Sequence, residues 1–311
     1  IGGYGGVGII AEVELHLTEN CHVKRHSKKI PVEGYWNYFA NHIRESSDVV
    51  FQNADIYPKQ YRHMNVVSWK KTQPSSSASS SLQSVKRLHP IARYFLFSLS
   101  KTPFSKWRRE HIIDRLLYFK NPTHSRNHEA GYNVAELAPI SSKTYCWVLQ
   151  EYFIPVGQFT QFRQAITEIL QRYQVNALNI SIRHAIEDTE TLLSWAKTEV
   201  FAFVLYYKQG VTEQDKNKVA IWTRELIDSA IRCDGSYYLP YQIHATQGQF
   251  EQAYPRFNEF ASLKKKVDPT YRLQNQLWNT YYMPNQHSIK TTDSEFNSML
   301  SKTTYHDKLY L

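Results

Sequence analysis

The chain has 311 residues, 42% of them hydrophobic and 14% aromatic, which supports one large domain or two ordinary ones with a real core. A formal net charge of +9 favours acidic partners, but the charge is scattered. No helix-turn-helix, zinc-finger or RNP-like pattern accompanies it, so no nucleic-acid partner is expected. Cys21, Cys146 and Cys233 are odd in number and widely spaced; they suggest neither a disulfide framework nor a zinc site, and no metal site is expected. No apolar run is long enough to span a bilayer, and a reducing, cytoplasmic setting is expected.

"GGYGGVGII" (2–10) satisfies GxGxxG through Gly3, Gly5 and Gly8. A dinucleotide site needs a strand before these glycines and a helix after them. Only Ile1 precedes them, and Ala11, Val13, Leu15 and Leu17 then alternate with Glu12, Glu14, His16 and Thr18. Period two predicts a half-buried strand, so the dinucleotide reading fails. What stays open is a plain turn feeding a strand, or a turn whose missing side chains let backbone approach a ligand. The chain begins inside a motif, and a longer parent protein is expected.

"CHVKRHSKKIPV" reads as a more exposed strand, "EGYWNYFANHIRES" as a short helix, and "DVVFQNADIY" and "HMNVVSWKKT" as two further strands. The Ser-rich stretch 73–84 reads as a mobile surface loop. Residues 90–121 read as helix, with Phe104, Trp107, Ile112, Leu116 and Phe119 set among Lys106, Arg108, Arg109 and Arg115. Such a helix usually packs on its own sheet; a peripheral contact with the inner face of a membrane is the other reading.

The second half is more regular. A strand at 144–155 is followed by a helix at 156–173 with Phe159, Phe162, Ile166, Ile169 and Tyr173 on one side. Strands at 177–184 and 199–209 precede a helix at 212–232, with Thr212 as N-cap and Val219, Trp222, Leu226 and Ala230 as its stripe. "SYYLP" (236–240) is a last strand. The order β-α-β-β-α-β predicts an α+β fold with a ferredoxin-like antiparallel sheet and both helices on one face. Leu178, Ile180 and Ile182 then point one way and Asn179, Ser181 and Arg183 the other; Cys146, Val148, Gln150 and Tyr152 share a face. These polar, mostly uncharged strand positions mixed with Tyr and Trp suit a pocket wall. The "KKK" run at 264–266 closes a helix carrying Phe257, Phe260 and Leu263, where it offsets the helix dipole.

Three stretches, "GGYGGVGIIAEVELHL", "VLQEYFIP" and "YLPYQIHATQGQFEQAYPRFNEFASLKKKVDP", resemble in order and spacing the FAD-linked oxidases of the vanillyl-alcohol-oxidase type. The resemblance is nearest to the subunit that oxidises decaprenylphosphoryl-ribose and looser to the aldonolactone and alditol oxidases. It implies that 1–18 are the closing strand of an FAD-binding domain whose main lobe lies upstream, 19–240 a substrate-binding cap, 241–283 a C-terminal return segment and 284–311 a tail. It further implies FAD as cofactor, with Gly5, Gly8, Ile9, Ile10 and Tyr238 beside it and the upstream domain as partner. The implied reaction is hydride transfer to flavin from a CH–OH group of a sugar, polyol, lactone or lipid-linked sugar, with this chain alone inactive.

Gln150, Tyr152, Asn179 and Ser181 are the implied substrate contacts, and Tyr241, His244 and Arg183 the catalytic ones. Gln150, Tyr152, Arg183, Tyr241 and His244 are expected to line one cavity. Tyr241 stands where the nearest relatives have a lysine, so His244 or Arg183 must supply the positive charge. Ser181 stands where the aldonolactone and alditol oxidases have a glutamate, which leaves Arg183 without its acidic partner. The alternative from another class is a ferredoxin-like binding module without catalysis.

Overall fold

The computed structural model describes residues 2–58, 60–73, 103–131 and 143–282. The Ser-rich stretch from 74 onward, the first part of the expected 90–121 helix and the tail lie outside them. Strands β1 (His22–Pro31), β2 (Val49–Ile56) and β3 (His63–Thr72), with helix α1 (Tyr35–Phe39) between the first two, make up the N-terminal part. Then come α2 (Pro103–Arg108), α3 (Asp114–Leu117), β4 (Thr123–Ser125) and α4 (Arg126–Ala130). The second half holds β5 (Tyr145–Pro155), α5 (Phe159–Arg172), β6 (Ala177–Ala185), β7 (Val200–Gly210), α6 (Glu213–Arg232), β8 (Ser236–Tyr237), α7 (Gln247–Ala253), α8 (Phe257–Val267) and α9 (Gln276–Tyr281).

All strands among the described residues join one antiparallel sheet in the order β4-β1-β3-β2-β6-β7-β5-β8. The sheet is therefore twice as wide as the four strands of the β-α-β-β-α-β reading. The join is the short β2–β6 pairing, Ala54↔Ile182 to Ile56↔Ile180. Helices α5 and α6 pack on one face through the expected stripes; Phe159, Phe162, Ile166 and Ile169 meet Val219, Trp222, Leu226 and Ala230 in one core with Phe201 and Phe203. Tyr173 departs from its stripe. It follows the last turn of α5, and Leu170 takes the buried place instead. Thr212 caps α6 by accepting a hydrogen bond from the Asp215 N–H. At the turn into β8, a Cβ on Gly235 would stand 2.5 Å from the Phe153 carbonyl, so only glycine admits this approach of β8 to β5.

Two expectations fail. Residues 8–20 form no strand; Ile9 is 84% and Leu17 91% exposed. The alternation supplies an apolar face, but no described segment offers a strand to pair with it. Helix α2 and its continuation also do not bury their aromatic stripe. Phe104, Trp107, Leu116 and Phe119 are exposed, and Ile113 and Asp114 face inward, because Asp114 finds polar partners in Arg109 and Tyr57. No described helix is long and apolar enough to cross a membrane.

Candidate functional site

Strand parity decides which predicted residues meet. Gln150 and Tyr152 lie on the helix-covered face, 5% and 1% exposed. Tyr152 Oη donates to Gln150 Oε1 at 2.7 Å, and Gln150 Nε2 donates to Tyr207 Oη and Thr223 Oγ1, both at 2.9 Å. These polar groups are satisfied inside the core. They touch only a void of about 20 Å³ between them and Tyr241, roughly the room of one water. The expected single cavity of five residues is therefore not formed.

Asn179, Ser181 and Arg183 project from the opposite face, as read from β6. Asn179 Nδ2 donates to Asp55 Oδ1 at 2.8 Å, Ser181 Oγ donates to the same oxygen, and Arg109 holds Asn179 Oδ1 at 3.2 Å. Asn179 and Ser181 thus spend their polar atoms on holding β6 to β2. Leu178 sits at a bulge, its carbonyl accepting from Arg109 at 2.7 Å.

On this same face the structure assembles a cluster that the sequence reading missed. Glu151 lies between Gln150 and Tyr152 and points the other way. Its Oε1 accepts a hydrogen bond from Tyr241 Oη at 2.8 Å. Tyr238 packs edge-on against Tyr241 with centroids 5.3 Å apart, and its backbone N–H donates to the Glu151 carbonyl. Register places Ser181 opposite Val204 and Val204 opposite Glu151, with Arg183 one row along beside Ala202. The small side chains of β7 leave Arg183 and Glu151 within electrostatic reach of each other.

Burial pushes the Glu151 carboxyl above its usual range, while Tyr241 and Arg183 pull it back. Burial and the neighbouring carboxylate hold the Tyr241 phenol well above its usual value. Glu151 is thus the member able to take a proton, and Tyr241 stays a donor. The signal in the sequence was "QEY": one acid in an otherwise uncharged strand core, at the parity of the open face.

His244 does not join this cluster. Its Nε2 lies 3.2 Å from Gln242 Oε1, and its carbonyl accepts from Arg224. Burial first, then Arg224, lowers its pKa to about 4. It is neutral at pH 7 and cannot supply the positive charge expected of it; Arg183 is the cation that acts on Glu151.

The glycine-rich turn borders the cluster. Gly6 N donates to the Gly3 carbonyl at 2.8 Å, and Gly5 has φ +70°. A Cβ on Gly2 would stand 2.4 Å from Thr191 and one on Gly6 3.1 Å from Phe260. These glycines pack the turn onto the protein itself. Gly8 differs, since a Cβ there meets nothing within 4 Å. Asn275 Nδ2 holds the Tyr4 carbonyl at 2.7 Å. Between Gly2, Tyr4, Trp195 and Tyr238 opens a cavity of about 640 Å³, with Glu187 and Asp188 on its rim. That volume is in the range of small-molecule sites.

No protein-family model and no curated relative matches the chain. Among solved structures it is similar to 6-hydroxy-D-nicotine oxidase from Arthrobacter nicotinovorans, with 13% identity over 87% of this chain and 57% of that one and a TM-score of 0.47. It is similar to a berberine-bridge-enzyme-like protein from Arabidopsis thaliana, with 11% identity over 82% of this chain and 56% of that one and a TM-score of 0.40. For berberine bridge enzyme from Eschscholzia californica the values are 10%, 84%, 55% and 0.40. The structures found include FAD-linked oxidases of the vanillyl-alcohol-oxidase type. The chain spans little more than half the length of each.

Proposed function

We propose that this chain is the substrate-binding part of an FAD-dependent oxidoreductase that oxidises a CH–OH group. The observation that carries the reading is the Glu151–Tyr241 pair, with Arg183, on the sheet face that α5 and α6 leave free. The β5-α5-β6-β7-α6-β8 unit is, in this reading, a ferredoxin-like cap. The residues fit a flavin in two respects: Arg183 offers a cation for a reduced ring, and Gly8 presents backbone with open space around it. Tyr238 supplies an aromatic wall. When bound, FAD supplies the hydride acceptor.

The chain's own residues do the rest. Glu151 takes the hydroxyl proton as the C–H bond breaks, Tyr241 orients the Glu151 carboxylate, and Arg183 balances the charge. A hydroxylated substrate matches the acidic rim of the cavity, which suits O–H donors better than phosphates. Residues 8–18, extended and exposed, are the strand that an FAD-binding domain would take into its own sheet.

The test uses the full-length protein. It is expected to purify with flavin absorbance, whereas the 311-residue chain alone does not bind FAD at micromolar concentration. Gly8→Val is expected to strip most of the flavin while moving the melting temperature little, because a Cβ at this position meets no described atom within 4 Å. A colourless full-length protein, or a fully yellow Gly8→Val variant, would overturn the reading.

A further inference from the structure

At the far edge of the sheet lies a second cluster, unrelated to Glu151. We propose that His124, His128 and Glu129 form a binding site for a divalent metal ion of the zinc type. One ligand atom from each of the three lies within 4.8 Å of the other two. The His124 and His128 rings stack with centroids 4.7 Å apart. His128 Nδ1 is buried and has no hydrogen-bond partner, an arrangement that is costly unless something fills that lone pair.

The backbone is held in place for this. β4 pairs with β1 at Val23↔His124 and His22↔Ser125. Arg126 N donates to the Cys21 carbonyl at 2.7 Å, and Asn127 N donates to Asn20 Oδ1 at 3.1 Å. The Trp69 ring lies 5.5 Å from the His124 ring and limits its rotation. Ligands four residues apart, His124 and His128, meet because the chain turns into α4 between them.

The donor set selects the ion. Two imidazoles and one carboxylate make a borderline N,N,O set, which suits Zn²⁺ and leaves a fourth position for water. Calcium and magnesium want oxygen ligands alone. Tetrahedral zinc, with bonds of about 2.0–2.2 Å, holds its donors roughly 3.4 Å apart, so the three donors would draw together on binding. Arg25 is the adverse charge nearby. Its guanidinium is turned to the Leu117 and Lys120 carbonyls, at 2.7 and 2.8 Å, and over the Tyr118 ring. The ion would clamp β4 and α4 onto the sheet edge, so binding adds to stability.

The experiment is calorimetric titration of the chain with ZnCl₂, with Co²⁺ absorption as a geometric probe. One equivalent is expected to bind, with the visible bands of tetrahedral Co²⁺ and a zinc-dependent rise in melting temperature. His128→Gln and Glu129→Gln should each weaken binding by more than the 10–100-fold that loss of an outer-shell partner costs. His42→Gln, far from the site, should change nothing. Glu129→Gln keeps size and shape, so it decides the matter if the histidine variant does not fold. Absence of stoichiometric binding, or binding that Glu129→Gln leaves intact, overturns the proposal.

Discussion

Glu151→Gln in the flavin-loaded protein is expected to slow flavin reduction by about 10²–10⁴-fold, the usual worth of a positioned base, with flavin content unchanged. Glutamine keeps the hydrogen bond from Tyr241 but cannot take a proton. Tyr241→Phe acts differently. The phenol donates to the carboxylate and so favours its charged form. Its loss raises the Glu151 pKa further, and the acid limb of the rate profile should move to higher pH. Arg183→Gln should move it the same way, since the guanidinium also favours the carboxylate. Stopped-flow reduction across pH reads both effects. A Glu151→Gln protein reduced at the wild-type rate would remove Glu151 from the chemistry.

The second large effect concerns folding. Lys264 stands inside a helix end read from sequence as a charged, dipole-offsetting run, yet it is 0% exposed. Its ammonium donates to Asp268 Oδ2 at 2.5 Å and to the Leu273 carbonyl at 2.6 Å. Asp268 also accepts from the backbone N–H groups of Arg272 and Leu273, both at 2.9 Å. This knot sets the course of 268–275 and thereby Asn275, which holds the glycine-rich turn. Removing one member of a buried pair typically costs about 3–5 kcal/mol, so Lys264→Ala should lower the urea midpoint strongly.

The acid side carries a signature of its own. The Lys264 hydrogen bond and the backbone donors lower the Asp268 pKa to about 2. A carboxylate lowered in the fold contributes stability above its unfolded value of about 3.9, and that contribution is lost as pH falls through about 2. Without Lys264 the folded pKa rises, the contribution is smaller and its loss is complete at higher pH, so the acid-unfolding midpoint should rise. Unchanged urea and acid midpoints would show that the knot is dispensable.

The stripes of α5 and α6 were legible because their apolar positions repeat at helical spacing and the sheet covers them; Phe162 and Trp222 went there, whereas the same spacing in α2 left its aromatics exposed. Strand parity was legible too. Which face the helices cover was not, because Gln150 and Tyr152 look like pocket residues until Tyr207 and Thr223 satisfy them. The same alternation, read one residue over, leads to Glu151. The lysine run hid one buried lysine because composition does not tell which of three neighbours points inward. His124, His128 and Glu129 have a readable spacing, but only the folded sheet edge brings their donor atoms together.

The extended stretch 8–20 has a practical side. Over 8–17 it forms no strand and carries apolar side chains at every second position, the surface on which a foreign strand grows. In a concentrated solution of this chain by itself, two such arms would find each other, and association would rise with protein concentration. The arm contains Glu12, Glu14 and Glu19 and no lysine or arginine. A glutamate-specific protease would therefore make its first cuts there, while trypsin would pass it by.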